Sequence, residues 1–287
     1  MNDTYMKRRA KRPRRPSRLT KGVSSTVAIF LILIAALVAV GQATREEPAE
    51  LDCGISAENL TKVTVPDELN EISIDYTGFH VSFNPSHHVP NYVAWELTEA
   101  KAQGKSPRKS KFKADNDIYG CATLDDYRYS GYDRGHMAPA GDMKWSEAAM
   151  DDSHYLTNIV PQDHSINGGI WSSLEKMCRR WAERDSALII ICGPVLTDLN
   201  ERTIGESGVA VPDRLFKIVF APYTKPPRAI GFIFPNKPTD DGLEALSTSV
   251  DNIEAITGFD FFECLPDDIE NEVESSTNYR VWNRQKR

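Results

Sequence analysis

Gly131-Tyr-Asp-Arg-Gly-His-Met-Ala-Pro-Ala-Gly-Asp142 sets an acid, an arginine, a glycine and a histidine in consecutive positions, Asp133 to His136, and follows them with Pro139 among small residues. Proline fixes φ and removes a backbone donor, so the segment does not run on as a smooth helix. Titratable side chains held on a tight turn are how a chain points chemistry at a substrate. Taken alone, the quartet fits equally well a plain loop in which the Asp caps a turn and the Arg is solvated. Its surroundings decide between the two readings.

Downstream lies Thr157-Asn-Ile-Val-Pro-Gln162, and then Asn167, Gly168 and Gly169 open a segment that reads as a helix from Ile170. Trp171, Leu174, Cys178 and Trp181 recur there at the spacing of a buried stripe. Glu175 and Arg179 are four apart, so they are neighbours at the edge of that stripe. Such a pair fits simple helix stabilisation, and it fits equally a wall of a site.

The rest of the chain supplies a scaffold rich in strands. Phe79, Val81 and Phe83 alternate with polar residues and predict a strand, a turn covers Asn84 to Pro90, and Tyr92–Leu97 predicts the second arm of a hairpin. His87 and His88 lie in the turn; paired histidines suit a metal site, but two solvated loop histidines are the plainer reading. Lys101 to Lys113 is basic and loop-like, either a phosphate-contacting flap or a solvated surface. Ser146–Ser153 predicts a short helix and His154–Val160 a strand closed by Pro161. Ala187–Cys192 predicts a buried strand, Phe216–Pro222 and Ala229–Phe234 a hairpin, and Leu243–Thr248 and Val250–Thr257 two helices.

Charge is unevenly placed. Residues 1–22 hold nine Lys/Arg against Asp3, a net +8, so a chain total of −7 leaves −15 on residues 23–287. A protein that reads nucleic acid by bulk charge is basic. This acidic body must hold any polyanion by a local cationic cluster or a metal ion. Val23–Val40 is an apolar run with only Ser24, Ser25 and Thr26 as polar members, about 27 Å long as a helix against a hydrocarbon core of roughly 30 Å. Basic residues before it and Glu46, Glu47 and Glu50 after it predict a signal anchor, with residues 1–22 cytoplasmic. The alternative is a signal peptide cut after Ala43, at the small-x-small site Gly41-Gln42-Ala43. Either way the main domain is expected outside the cytoplasm, periplasmic or extracellular, and secreted if the leader is cut. All five cysteines lie beyond the run, an odd count in a compartment that permits disulfides. There is no CxxC and no zinc-ligand spacing.

With these residues in order, the chain resembles the DNA/RNA non-specific endonucleases, the endonuclease G-like nucleases with the DRGH motif. The match is carried by residues 130–142, by Thr157–Gln162, and by Asn167, Trp171, Glu175 and Arg179 at their spacing; 89–97, 190–194 and 211–219 support it. The resemblance implies an α+β, ββα-metal (His-Me finger) nuclease fold, with a central antiparallel sheet flanked by helices and, here, one N-terminal transmembrane helix. The expected organisation is a basic N-terminus (1–22), an anchor (23–43), a linker (44–71), a nuclease domain (72–265) and a loose polar tail (266–287).

The resemblance also implies roles. His136 is the general base that activates water, since imidazole has an ordinary pKa of about 6.5 and is mostly neutral near pH 7.5. Asn167 is the one direct protein ligand of Mg2+, an ion that keeps a largely aqueous shell; Mn2+ or another divalent cation is left open. Glu175 holds metal-bound water, Asn158 positions His136, and Arg134 and Arg179 bind the phosphate. Asp133 is expected only to brace the loop. Arg134 has a structural alternative, a salt bridge to Asp133 or a neighbouring acid. The expected partners are DNA and RNA, through backbone phosphates that carry no sequence information, and a membrane through residues 23–40; a homodimer is left open. The rival readings are a non-catalytic, membrane-tethered nucleic-acid receptor and a phosphodiesterase acting on small nucleotides.

Overall fold

The computed structural model describes residues 55–107, 111–197 and 202–283. In chain order the main strands are β1 (Ile72–Asp75), β2 (His80–Asn84), β3 (Val89–Thr98), β4 (Asp133–His136), β5 (Ile159–Gln162), β6 (Ala187–Pro194), β7 (Arg214–Ala221), β8 (Arg228–Pro235) and β9 (Ser247–Thr248). The main helices are α1 (Glu147–Asp152), α2 (Ser172–Asp185), α3 (Val250–Thr257) and α4 (Asp267–Glu274).

Seven strands form one sheet in the order β9-β8-β7-β6-β3-β2-β1, antiparallel at every pairing. The centre is β6, whose Ala-Leu-Ile-Ile-Ile-Cys-Gly-Pro is buried throughout. Side chains of a strand alternate between faces, so β6 feeds two cores. Leu188, Ile190 and Cys192 join one with Trp171, Leu174, Cys178 and Trp181 of the predicted helix stripe. Ile189 and Ile191 join the other with Leu60, Val250, Ile253 and Val273. The result is a mixed α/β body in which the catalytic candidates share one face of the sheet, and α3 and α4 cover the opposite face.

Strands β4 and β5 pair with each other, apart from the large sheet: Asp133 faces Gln162, Arg134 faces Pro161, Gly135 faces Val160 and His136 faces Ile159. Helix α2 follows β5, completing the expected unit of two strands and a helix. Pro161 lies inside β5 where the sequence predicted it to close a strand, and Leu156–Asn158 is a short 3₁₀ turn. A two-stranded ribbon has free edges, so proline's missing donor is tolerated there.

Three other expectations differ from the structure. Residues 243–246 form turns, and Ser247–Thr248 pairs at the edge of β8 in place of a helix. Part of the expected linker is folded: Ala57–Leu60 is a helical turn with Leu60 fully buried, and Val63–Thr64 pairs with Asp260–Phe261. Most of the expected loose tail is helical too, with Val273 and Trp282 in the cores. In both segments a few apolar residues among many acids reach the core, a pattern that composition averages away. The expected anchor, 23–43, lies outside the described residues. Among the described residues no helix is long and apolar enough to cross a membrane.

Asn236, just past β8, ties the ribbon to the sheet. Its Nδ2 donates to the carbonyls of Pro161 and Pro212 (3.0 and 2.9 Å), and its Oδ1 accepts from the Asp163 amide (2.8 Å). Asn236→Ala strands these groups, at about 1–3 kcal/mol for each one left buried and unpaired. We expect Tm to fall by roughly 5–15 °C; an unchanged melting curve would refute this bracing role.

Candidate active site

Ribbon geometry sets the first site residues. Alternation along β4 turns Arg134 and His136 to the same side. Gly135 between them is under the amide of Gln162: a Cβ there would lie 2.1 Å from Gln162 Oε1. Beyond His136 the chain is clamped by Asn158, which is fully buried. Its Oδ1 accepts from the Ala138 amide, and its Nδ2 donates to the carbonyls of Ala138 and Ser153, each at 2.9 Å. The backbone amide of Met137 adds a bond to the Asn158 carbonyl at 2.9 Å. Asn158 thus fixes the backbone of Met137 and Ala138, the two residues that follow His136.

His136, Arg134, Asn167 and Glu175 meet in a cleft of about 390 Å³, walled also by Phe112, Asp133, Gly141 and Ser172. The His136 ring is 5.0 Å from Phe112 and 5.2 Å from His154, nearly perpendicular to the latter. Its carbonyl accepts from Trp171 Nε1 at 3.3 Å, which links β4 to the start of α2. Arg134 is exposed, with Cζ 4.8 Å over the Phe112 ring. Among the described residues it makes no ion pair, contrary to the salt-bridge alternative.

Asn167 sits in a widened helical turn, Ile166–Trp171, kinked at Gly169 (φ −100°, ψ −110°) before α2 begins. Turns of this width recur at functional sites. Asn167 Nδ2 donates to Asp133 Oδ2 at 2.9 Å, and His164 Nδ1 lies 2.9 Å from the same oxygen. Asp133 is therefore a bracing carboxylate, as the sequence suggested, and what it braces is Asn167. With the amide nitrogen engaged, no described residue donates to the carbonyl oxygen of Asn167.

Behind the cleft lies a buried group of charges. Arg179 Nη1 contacts Asp142 Oδ1 at 2.6 Å, and Trp95 Nε1 donates to Asp142 Oδ2 at 3.2 Å. Gly141 makes room for this, since a Cβ there would lie 2.6 Å from Arg179 Nη1. Lys217 is fully buried on β7, its Nζ 4.1 Å from the Trp171 ring and 5.4 Å from the Trp95 ring. Burial pushes the Glu175 carboxyl up to about 7, while Lys217 and Arg179 pull it down and Asp142 pushes it up. Burial raises Asp142 as well, opposed by Arg179.

The structure thus brings four of the six predicted residues to the cleft wall and leaves two behind it. Asn158 points into the backbone beneath His136. Arg179, one turn after Glu175, turns back to Asp142 and is absent from the cleft lining. Phe112, His154, Asp142 and Lys217 were not singled out from the sequence. The visible signals were a lone aromatic in a basic loop, the acid that closes the opening motif, and a lysine at an inward position of a β-strand. His87 and His88 are turn residues, with His88 Nδ1 bonded to the Gly120 carbonyl at 2.7 Å.

The cleft suits a hard divalent cation. Its donors are the Asn167 carbonyl oxygen and the Glu175 carboxylate, both oxygens. Glu175 forms no ion pair among the described residues, and the cleft has room for the waters that Mg2+ retains.

Comparison with known proteins agrees with the family resemblance and with the fold. The family described as DNA/RNA non-specific endonuclease matches residues 56–268. Nuclease EXOG, mitochondrial, of Danio rerio is 38% identical over 209 residues, covering 66% of this chain and 60% of that protein. Endonuclease G, mitochondrial, of Homo sapiens is 31% identical over 191 residues, covering 59% and 62%. The chain spans about three fifths of the length of these curated relatives. A crystal structure of the EndoG/EndoGI complex superposes with a TM-score of 0.65 at 26% identity, covering 69% of this chain and 88% of that one.

The relatives correct one expectation. Their names place them in mitochondria, in Danio rerio and in two yeasts alike, which overturns a membrane-anchored or secreted domain outside the cytoplasm. A leader rich in arginine and poor in acid is common to several targeting signals, so its charge pattern did not discriminate among compartments.

Proposed function

The chain belongs to the DNA/RNA non-specific endonuclease family, and from that premise we propose that it is a metal-dependent endonuclease that hydrolyses phosphodiester bonds of both DNA and RNA. The observation that carries this reading is the convergence of His136, Arg134, Asn167 and Glu175 on one cleft.

A phosphodiester anion resists attack by water. Its cleavage needs a base, positive charge at the developing phosphorane and help for the departing 3′-oxygen. His136 takes the proton from the attacking water. Phe112 and His154 restrict its ring, and the clamp of Asn158 on Ala138 fixes the backbone from which it projects. Arg134, stacked on Phe112, meets the phosphate oxygens at the mouth of the cleft. Arg179, held by Asp142, adds positive potential from behind. Asn167 and, through water, Glu175 would hold the cation, Mg2+ with Mn2+ as an alternative; when bound it supplies charge to the phosphorane and the leaving oxygen. Contacts to phosphate alone predict weak sequence preference.

The test is digestion of supercoiled plasmid, single-stranded RNA and a dinucleotide by the full chain, with Mg2+ and with a chelator. We expect cleavage of plasmid and RNA at many positions, stopped by the chelator. Binding without cleavage would favour a nucleic-acid receptor, and cleavage of the dinucleotide alone would favour a small-molecule phosphodiesterase.

The Glu175 carboxyl, raised to about 7 by burial, makes a pH prediction. Below that value Glu175 is protonated and neutral, so the cation competes with a proton; above it the carboxylate is available. The Mg2+ concentration for half-maximal cleavage should rise by up to about tenfold per pH unit below 7 and level off above it. Glu175→Gln should flatten this dependence. A wild-type profile without that bend would remove Glu175 from the cation's surroundings.

A further inference from the structure

On the opposite face of the sheet, α3 and α4 bring carboxylates together without a counter-charge. Asp251 and Glu254 lie three apart on α3, and Glu270 and Glu274 four apart on α4, so each pair shares a helix face. Oxygens of Asp251, Glu254 and Glu274 all lie within 4.8 Å of one another. None of these four residues forms an ion pair among the described residues.

Glu274 is the anomalous member. It is only 7% exposed, and its Oε1 is fully buried with no hydrogen-bond partner. A buried carboxylate oxygen without a donor is costly to leave unsatisfied. Glu274 also ends α4, where the helix dipole is negative and disfavours an anion. The acids of the first turn, Asp267 and Asp268, are explained by that dipole; Glu274 is not. Glu254 has one oxygen engaged, accepting from the Phe261 amide at 2.9 Å, which leaves the other. Asp251 is exposed, so the cluster opens to solvent.

We propose that Asp251, Glu254 and Glu274 form a Ca2+ site that fastens the end of α4 to α3. Oxygens on one ion can be no farther apart than twice the metal–oxygen distance. That limit is roughly 4.6–5.2 Å for Ca2+, so oxygens that all lie within 4.8 Å of one another can share this ion, and a set of three carboxylates suits Ca2+ better than Mg2+, which keeps most of its waters. Waters on the exposed Asp251 side complete its six to eight ligands. Burial and the neighbouring acids Glu254, Glu270, Asp251 and Asp260 push Glu274 up to about 8, consistent with a pocket that lacks its positive charge.

The test titrates Ca2+ by calorimetry into the full chain carrying Asn167→Ala, then into the same protein with Glu274→Gln or Asp251→Asn added. We expect each added substitution to remove one equivalent of Ca2+ or weaken it at least about 100-fold, and to abolish the Ca2+-induced rise in Tm. Asp251 is exposed, so its variant folds irrespective of how Glu274→Gln packs. The comparison reads the loss of one site, so it holds whether or not Asn167 ligates a metal. Equal stoichiometry and Tm shift with and without Glu274→Gln would overturn the proposal. So would the absence of Ca2+ binding at millimolar concentration in the Asn167→Ala protein.

Discussion

His136→Ala lowers the rate of plasmid and RNA cleavage by about 10²–10⁴-fold, the range for loss of a positioned general base, while DNA binding and folding persist. Folding persists because the bond that the His136 backbone carbonyl accepts from Trp171 Nε1 is kept, and because alanine keeps the β4–β5 register. The ring's neighbours, Phe112 and His154, lose contacts, which should cost roughly 1 kcal/mol of stability. Binding persists because Arg134 and the rest of the cleft remain. The measurement is single-turnover cleavage beside a filter-binding or anisotropy titration and a thermal melt. Near wild-type cleavage would take the base away from His136. A matching collapse of binding and Tm would make it a structural residue instead.

Asn167→Ala should be the second most severe change. It removes the side chain whose carbonyl oxygen accepts no hydrogen bond from any described residue, and we expect cleavage to fall by at least about 100-fold at fixed Mg2+, with partial recovery as Mg2+ is raised. Asp133→Ala separates ligation from positioning. It leaves the Asn167 amide in place but deletes the 2.9 Å bond that orients it, so the loss should be smaller, about 10–100-fold, as for groups that orient a ligand. Both variants should bind DNA in chelator as well as the wild type does. If Asn167→Ala needs no more Mg2+ than the wild type, or if Asp133→Ala is the worse of the two, the assignment of Asn167 fails.

Much of the site was legible because its signals are local. The stripe of Trp171, Leu174, Cys178 and Trp181 is a property of helical periodicity, and all four are buried in one core. The alternation around Val81 and Phe83 set the hairpin. Other features are not local: Pro161 reads as a strand terminus because an edge position cannot be known from one strand, and residues 243–248 read as helical because two leucines at helical spacing also suit successive turns. Phe112 was hidden in a basic run whose average is polar.

By itself the sequence determined the chemistry available: which residues are bases, oxygen donors and cations, which helix carries Glu175 and Arg179, and the family to which their order belongs. These depend on residue type and short-range periodicity, which tertiary contacts do not alter. The tertiary structure alone decided which of those groups face the cleft. Arg179 turns to Asp142 and Asn158 to the Ala138 backbone, whereas Asn167 keeps its oxygen because Asp133 holds its nitrogen. It also decided that Lys217 lies buried between two indoles and that Glu274 faces other acids on the opposite side of the sheet. Burial and the choice of hydrogen-bond partner are set by residues remote in the chain. No local pattern encodes which donor is left over once the chain has packed.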